Sequence, residues 1–440
     1  MARTIGVVGL ACKTEIGYDL SASIYRATVE ALKNKGVEVV DTGVIIDAEE
    51  TSEKAIEILK KANPDVVTVC VMTWSEDNYI LTLLRKLQKP LILHSFPGVE
   101  TGSLCGVMQM ASVLTDIGYS EYKTVYEEPG SEASADQIIA ACEALESVQQ
   151  KGLPTETFNI GNIGGRVYGM TEIAFDEFAL FEKCGAVVIP ISETELDETV
   201  ATVDYKELKE AQPLVKKKGY VIESLPEEIN ESLKYYIALK KLIQKYRLVG
   251  LTVKCYMRYM GKVCLAFSLL SDEGYVCSCE GDVGSAVMMR ILADATGQCI
   301  NNTDILHPDV ESNTILFAHC GSSGFSIASK PEDVHLTHVR LKESGVCSLF
   351  MPKPGIVTAA DLVGHGNQLR MSVMVGEAID GEMQFPGNQA KIHFRKPVLD
   401  ICKSVMEYGC GHHWMIGYGN VADKLRDYCK THGIIFQRIV

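Results

Sequence analysis

This 440-residue chain lacks several signals, and each absence removes a class of protein. No apolar run reaches the roughly 20 residues that a membrane-spanning helix needs. The opening MARTIGVVGLACKTE has no long apolar segment behind a basic start and no small-residue cleavage site, so it reads as a first β-strand, not an export signal. Basic residues are in deficit. Lys and Arg number 42 against 57 Asp and Glu, and a net charge of −15 argues against nucleic acid or an anionic membrane as partner. Neither the G-x-G-x-x-G fingerprint nor a Walker A loop occurs, which disfavours an NAD-linked dehydrogenase. The 15 cysteines form no paired motif; Cys277-x-Cys279 has no matching second pair and is a poor zinc signal. Single thiols inside apolar runs, such as Cys70, Cys142, Cys264 and Cys347, indicate free buried sulfur in a reducing, cytoplasmic compartment.

What is present reads as a globular α/β protein of two or three domains, with 47% hydrophobic and 22% charged residues. From Ile5 to about Pro97, short Val/Ile-rich strands alternate with helices, the pattern of βαβ units in a parallel sheet. Helical segments over Val99–Tyr119 and Ser134–Gln150 follow, and the breakers Lys151 to Pro154 mark a first boundary. A second α/β unit opens with strand Phe158–Ile160 and the turn Gly161 to Arg166, whose amides could cradle an anion or simply reverse the chain. A long helix over Pro226–Tyr246 and strands over Arg247–Lys254 and Val263–Leu270 lead to Glu280. Beyond about Cys299, close-spaced strands separated by turns such as Lys353-Pro354-Gly355 predict an antiparallel sheet or small barrel. The expected domains are therefore 1–154, 155–298 and 299–440.

The chemistry gathers around Val276 to Gly324. An apolar strand runs into Glu280-Gly281-Asp282 and then a helix, which puts a carboxylate at the carboxyl end of a strand, where open α/β sheets bind ligands. Asp304 follows Asn-Asn-Thr, a run that also suits a cap. His319 emerges from an apolar strand ahead of Cys320-Gly321-Ser322-Ser323-Gly324, and His412-His413 sits in a glycine-rich turn before Trp414. Two carboxylates with one or two imidazoles suit Mn²⁺ or Mg²⁺. Such an ion can polarise a carbonyl and its neighbouring hydroxyl while a carboxylate removes the proton between them, the chemistry of aldose–ketose isomerisation through an enediol(ate).

The run Cys279 to Met289 (C-E-G-D-x-x-x-A-x-x-M), Asp304, H-C-G-S at His319 and G-x-G-H-H-W near the end resemble the L-fucose/L-arabinose isomerase family. So do Gly164-Gly165-Arg166 with F-D-E-F-A-L at Phe175 to Leu180, G-S-L-C-G at Gly102 to Gly106, and Pro386-Gly387-Asn388. The resemblance implies two Rossmann-like α/β domains followed by a C-terminal antiparallel β-barrel-like domain. It also implies homotrimers or homohexamers whose active sites are shared between subunits. It assigns the ion, usually Mn²⁺, to Glu280, Asp304 and His413, with both carboxylates as acid/base groups, and leaves His319 as a ligand or a substrate contact. Trp74 and Gln109, by position at a strand end and on a helix face, are candidates for the first domain's contribution, and Arg166 for a substrate contact.

The substrate expected first is an open-chain sugar of the L-fucose/D-arabinose kind. The alternative is a hexose bearing a sulfonate at C6, sulfoquinovose, which Arg166, Arg258 or Lys254 could meet if they are not simply solvated surface groups. A non-catalytic sugar-binding protein is the reading from another class, without an export signal or DNA-binding segment to support it.

Overall fold

The computed structural model describes residues 3–98, 101–145, 156–216, 220–384 and 386–440. The chain divides into two compact units, 1–156 and 157–440. The breaker run Lys151 to Pro154, Val99 at the head of one expected helix and Gln150 at the tail of another lie outside the described residues. The boundary expected near residue 298 falls inside the second unit.

In the first unit β1 (Ile5–Leu10), α1 (Ser21–Asn34), β2 (Val39–Ile46), α2 (Glu49–Ala62), β3 (Val66–Val71), α3 (Asn78–Leu87), β4 (Leu91–Ser95), α4 (Ser103–Asp116), β5 (Tyr122–Tyr126) and α5 (Glu132–Ala144) alternate. The strands pair in parallel in the order β2-β1-β3-β4-β5. β1 and β3 are buried throughout, as Val/Ile runs covered on both faces must be. Strand order reverses between β1 and β3, so the loops after them flank the crevice where such sheets bind ligands. Those loops are tied by Cys12 N–H donating to Thr73 Oγ1 at 2.8 Å, next to Trp74.

The second unit opens with β6 (Phe158–Ile163), α6 (Glu177–Cys184), β7 (Ala186–Ile191), α7 (Glu193–Ala201), α8 (Tyr205–Ala211), α9 (Pro213–Lys216), β8 (Val221–Ile222), α10 (Pro226–Lys245), β9 (Leu248–Val253), α11 (Cys264–Asp272), β10 (Val276–Ser278) and α12 (Val283–Thr296). Four of the strands form a parallel sheet, β10-β9-β6-β7. Two sequence expectations change here. Val263–Leu270, expected as strand, is the helix α11: every residue from Cys264 to Ser271 is buried, and a run with no polar face carries no periodicity to separate helix from strand. The strand β6 continues to Ile163, so the turn expected over Gly161–Arg166 shrinks to Gly164-Gly165-Arg166.

The chain then runs through β11 (Asn301–Asp309), β12 (Thr314–His319), β13 (His335–Val339), β14 (Ser344–Leu349), β15 (Gly355–Val363), β16 (Arg370–Ile379), β17 (Asn388–His393), α13 (Val398–Glu407), β18 (His413–Tyr418), α14 (Ala422–His432) and β19 (Ile435–Arg438). Antiparallel pairing runs β15-β18-β11-β12-β17-β16 and returns to β15, closing a ring, while β19 adds in parallel to β16. β13 and β14 leave the ring as an antiparallel pair, and β13 takes β8 on its other side. Asp304 is therefore a strand residue, not a helix or turn cap. No described helix is long and apolar enough to cross a membrane, and the cysteines are free thiols.

The helix α12 joins the two sheets. It packs against β9 and β10 on one side and against β15 and β18 on the other. The fit is close enough that a Cβ on Gly284 would stand 1.8 Å from the Phe175 ring. Its first seven residues, Val283 to Met289, are all buried, as a helix end held between two sheets requires, while Arg290 and Asp294 pair on the side left open, and the N-terminus of α12 is brought to the start of β18.

Candidate active site

Glu280 occupies the turn between β10 and α12 with φ +68°, a left-handed conformation that costs a non-glycine residue roughly 1–2 kcal/mol. Three hydrogen bonds from backbone N–H groups hold it there. Glu280 N–H donates to Cys255 Sγ at 3.4 Å, Gly281 N–H to Val253 O at 3.1 Å and Val167 N–H to Glu280 O at 3.2 Å. Glycine is required next: Gly281 has φ +74°, and a Cβ there would lie 1.9 Å from Gly165 O. The Gly164-Gly165-Arg166 turn is thus the seat of the Glu280 turn.

Asp282 caps α12, its Oδ1 accepting Ser285 N–H at 2.9 Å. Its other oxygen, Oδ2, lies 2.7 Å from His413 Nδ1, and His413 Nε2 lies 3.1 Å from Glu280 Oε2. Since ionised carboxylates only accept, both ring nitrogens donate, and the imidazole bridges two acids as an imidazolium. Burial opposes that charge, but the hydrogen bonds donated to Asp282 and Glu280 outweigh it and hold the ring's pKa well above its ordinary value. For Glu280, burial pushes the pKa up; the His413 hydrogen bond and the surrounding imidazoles more than reverse it, so the carboxyl titrates below its ordinary range.

The ring sheet supplies the remaining groups. β11 pairs with β18 so that Asp304 stands opposite His413, and β12 brings His319 alongside. Asp304 Oδ1 is 3.9 Å from His413 Nε2, and Asp304 Oδ2 is 4.0 Å from His319 Nε2. Burial, chiefly, lowers the pKa of His319 and keeps it a neutral imidazole. Glu280, Asp304 and His319 line one cavity of about 130 Å³, together with Cys320 and Arg340. A second cavity of about 630 Å³ shares the wall residue Pro386.

The donor set fits a divalent cation. One ligand atom from each of Glu280, His319 and His413 lies within 4.8 Å of the others, and the same holds for Asp304, His412 and His413. Asp304 Oδ1 and His319 Nδ1 are buried without a hydrogen-bond partner among the described residues, an arrangement that native proteins rarely leave unanswered.

The remaining sequence candidates make contacts of their own. Trp74 and Gln109 belong to the first unit and bond to each other: Trp74 Nε1–H donates to Gln109 Oε1 at 2.7 Å, and Gln109 Nε2–H to Asp77 Oδ2 at 2.8 Å. The Arg166 guanidinium is turned onto its own loop, donating to Val167 O and Met170 O at 3.3 and 3.1 Å. Arg258 is paired with Glu193 and Asp197, each at 2.5 Å, and Lys254 faces Glu193 at 3.9 Å. Asp282, Glu172 (2.6 Å from His412 Nδ1) and Arg340 escape the sequence reading. For Asp282 a signal existed, an Asp in the N-cap position immediately before an apolar helical run. For the other two there was none.

No family model matches the chain. A sulfoquinovose isomerase of Priestia aryabhattai is 22% identical over 416 residues, covering 92% of this chain and 92% of that protein. Another, of Alkalicoccus urumqiensis, is 24% identical over 381 residues, covering 83% and 84%. Among solved structures, a ribose 5-phosphate isomerase of Thermotoga maritima overlies 33% of this chain and 88% of its own at TM-score 0.19 and 11% identity, too distant a likeness to inform fold or function. Along most of its length the chain is related to sugar isomerases, and the protein is an enzyme of the aldose–ketose isomerase class.

Proposed function

We propose that the protein interconverts sulfoquinovose and sulfofructose, with a divalent ion, Mn²⁺ or Mg²⁺, held by Glu280, Asp304 and His413. The reading rests on one convergence: Glu280, Asp304 and His319 line one cavity, with His413 hydrogen-bonded to Glu280, in a chain whose relatives along most of its length are named for that substrate. The sulfonated hexose therefore displaces the fucose-type sugar as the first expectation.

When bound, the ion would polarise the carbonyl at C1 and the hydroxyl at C2. The carboxylates move the proton. One of Glu280 and Asp304 takes the C2 proton and returns it to C1, while the hydroxyl proton passes from O2 to O1, turning aldose into ketose. Glu280, held ionised below its ordinary range, is in the form that accepts a proton. His319, neutral, has a ring nitrogen to offer the ion or a substrate hydroxyl. Arg340 in the cavity wall carries the charge a sulfonate would seek, and the larger cavity beyond Pro386 offers room for the rest of the chain. The proposal extends to a homotrimer or homohexamer in which the first unit, with Trp74 and Gln109, borders a neighbouring subunit's cavity.

The test is turnover of sulfoquinovose, L-fucose, D-arabinose and L-arabinose by purified protein with added Mn²⁺, in deuterated water, with C2 proton exchange followed by NMR. Exchange and turnover fastest on sulfoquinovose support the reading. Faster turnover of L-fucose or D-arabinose returns the substrate to the fucose type, and no exchange on any of the four defeats the isomerase proposal.

A further inference from the structure

The two oxygens of Asp282 do different work. Oδ1 accepts Ser285 N–H and caps α12. Oδ2 accepts the Ser285 hydroxyl at 2.5 Å and the His413 Nδ1–H at 2.7 Å. A cap alone needs only the first oxygen, and a serine would serve. The second is spent on a ring that comes from 131 residues away, with Asp282 and His413 each 3% exposed.

We infer that Asp282 is the positioning residue for His413: it holds the proton on Nδ1, so that Nε2, on the Glu280 and Asp304 side, is the nitrogen that gives up its proton and binds a divalent ion. The inference rests on the proposed ion site. An imidazole can ligate only through a nitrogen without a proton, and the hydrogen bond made by the other nitrogen selects which one that is. The α12 cap makes the selection rigid, since Asp282 is fixed to the helix backbone and hydroxyl before it meets the ring. In Asp282→Asn, an amide nitrogen in place of Oδ2 would present N–H to Nδ1 and move the ring proton to Nε2. Turned the other way, the amide would abandon the cap. Either arrangement loses one of the two functions.

The experiment is Mn²⁺ titration of the wild type, D282N and D282S by calorimetry and by the electron paramagnetic resonance signal of free Mn²⁺, with melting temperatures of the metal-free proteins measured alongside. D282S keeps a capping oxygen and loses the ring's acceptor. The expected result is 10- to 100-fold weaker Mn²⁺ binding in both variants, with D282S melting close to the wild type. Wild-type affinity in either variant overturns the inference and leaves the ion site standing. An absence of Mn²⁺ binding in the wild type sinks the site and the inference together. Should the variants fail to fold, ¹⁵N-histidine spectra of wild-type protein saturated with diamagnetic Mg²⁺, with His413 assigned by its loss in H413Q, decide the matter. A protonated Nδ1 supports the inference, and an unprotonated one overturns it.

Discussion

Asp361 on β15 gives the most quantitative forecast, because it is a buried acid behind the turn that carries His413. It is 3% exposed, and its Oδ2 accepts Gly411 N–H at 2.8 Å. Burial pushes its carboxyl from 3.8 up to about 7, against the opposing pull of that hydrogen bond. In the window between those values the folded protein keeps a proton that the unfolded chain has given up. The folded state binds more protons there, so this contribution to stability is full below about pH 4 and is lost as pH rises through about 7. A gap of about 3 pH units at about 1.4 kcal/mol each comes to about 4 kcal/mol. Asp361→Asn keeps the shape and an acceptor for Gly411 but cannot ionise. It should match its parent near pH 4 and exceed it by about 4 kcal/mol at pH 8. Urea unfolding of metal-free protein is the assay. With Trp74 replaced by Phe, the remaining tryptophan is the fully buried Trp414, which reports on the second unit. A D361N advantage that is constant from pH 4.5 to 8 would refute the argument that burial of this carboxyl controls the pH response.

Three other substitutions probe the site. Gly281→Ala drives a Cβ onto Gly165 O at φ +74° and should destabilise the second unit by about 3 kcal/mol in the same assay; an unchanged midpoint contradicts the close seating of the two turns. Glu280→Gln should abolish both Mn²⁺ binding and C2 proton exchange without unfolding the protein, and a variant that keeps either removes Glu280 from the proposed role. Arg340→Met should raise KM for sulfoquinovose about 10- to 100-fold, the value of one charge-assisted hydrogen bond, and leave turnover of an unsulfonated sugar unaltered. Equal losses on both sugars would mean that Arg340 supports the cavity rather than reading the sulfonate.

Local pattern carried a large part of the fold. The Val/Ile runs at Ile5–Leu10 and Leu91–Ser95 and the amphipathic stretch Glu49–Ala62 form the strand–helix alternation expected from Ile5 to about Pro97, since each announces its period within its own residues. Among the elements that were hidden, two show why. Tyr122–Tyr126 is an edge strand with one buried residue, Val125, so its alternation is faint. The helix α11 is buried all round and shows no alternation at all.

At the site, side-chain chemistry singled out Glu280, Asp304, His319 and the His412-His413 pair as candidates, the resemblance narrowed the pair to His413, and the strand-end position of Glu280 was legible from the E-G-D run ahead of a helix. Which atoms face each other was not. Asp304 meets His413 because β11 and β18 pair in one register, and a one-residue slip would turn every side chain to the other face. Asp282 meets His413 across 131 residues because α12 is wedged between two sheets. Arg258 and Arg166, plausible anion ligands in the sequence, are engaged by Glu193, Asp197 and local carbonyls instead. The sequence by itself carried much of the element pattern and the candidate ligand types, and its acidic balance argued against nucleic acid or an anionic membrane as partner. The tertiary structure alone decided the register, the partners and the cavity, because side-chain type and period are local properties, whereas distances of a few ångströms between remote residues depend on how whole elements pack.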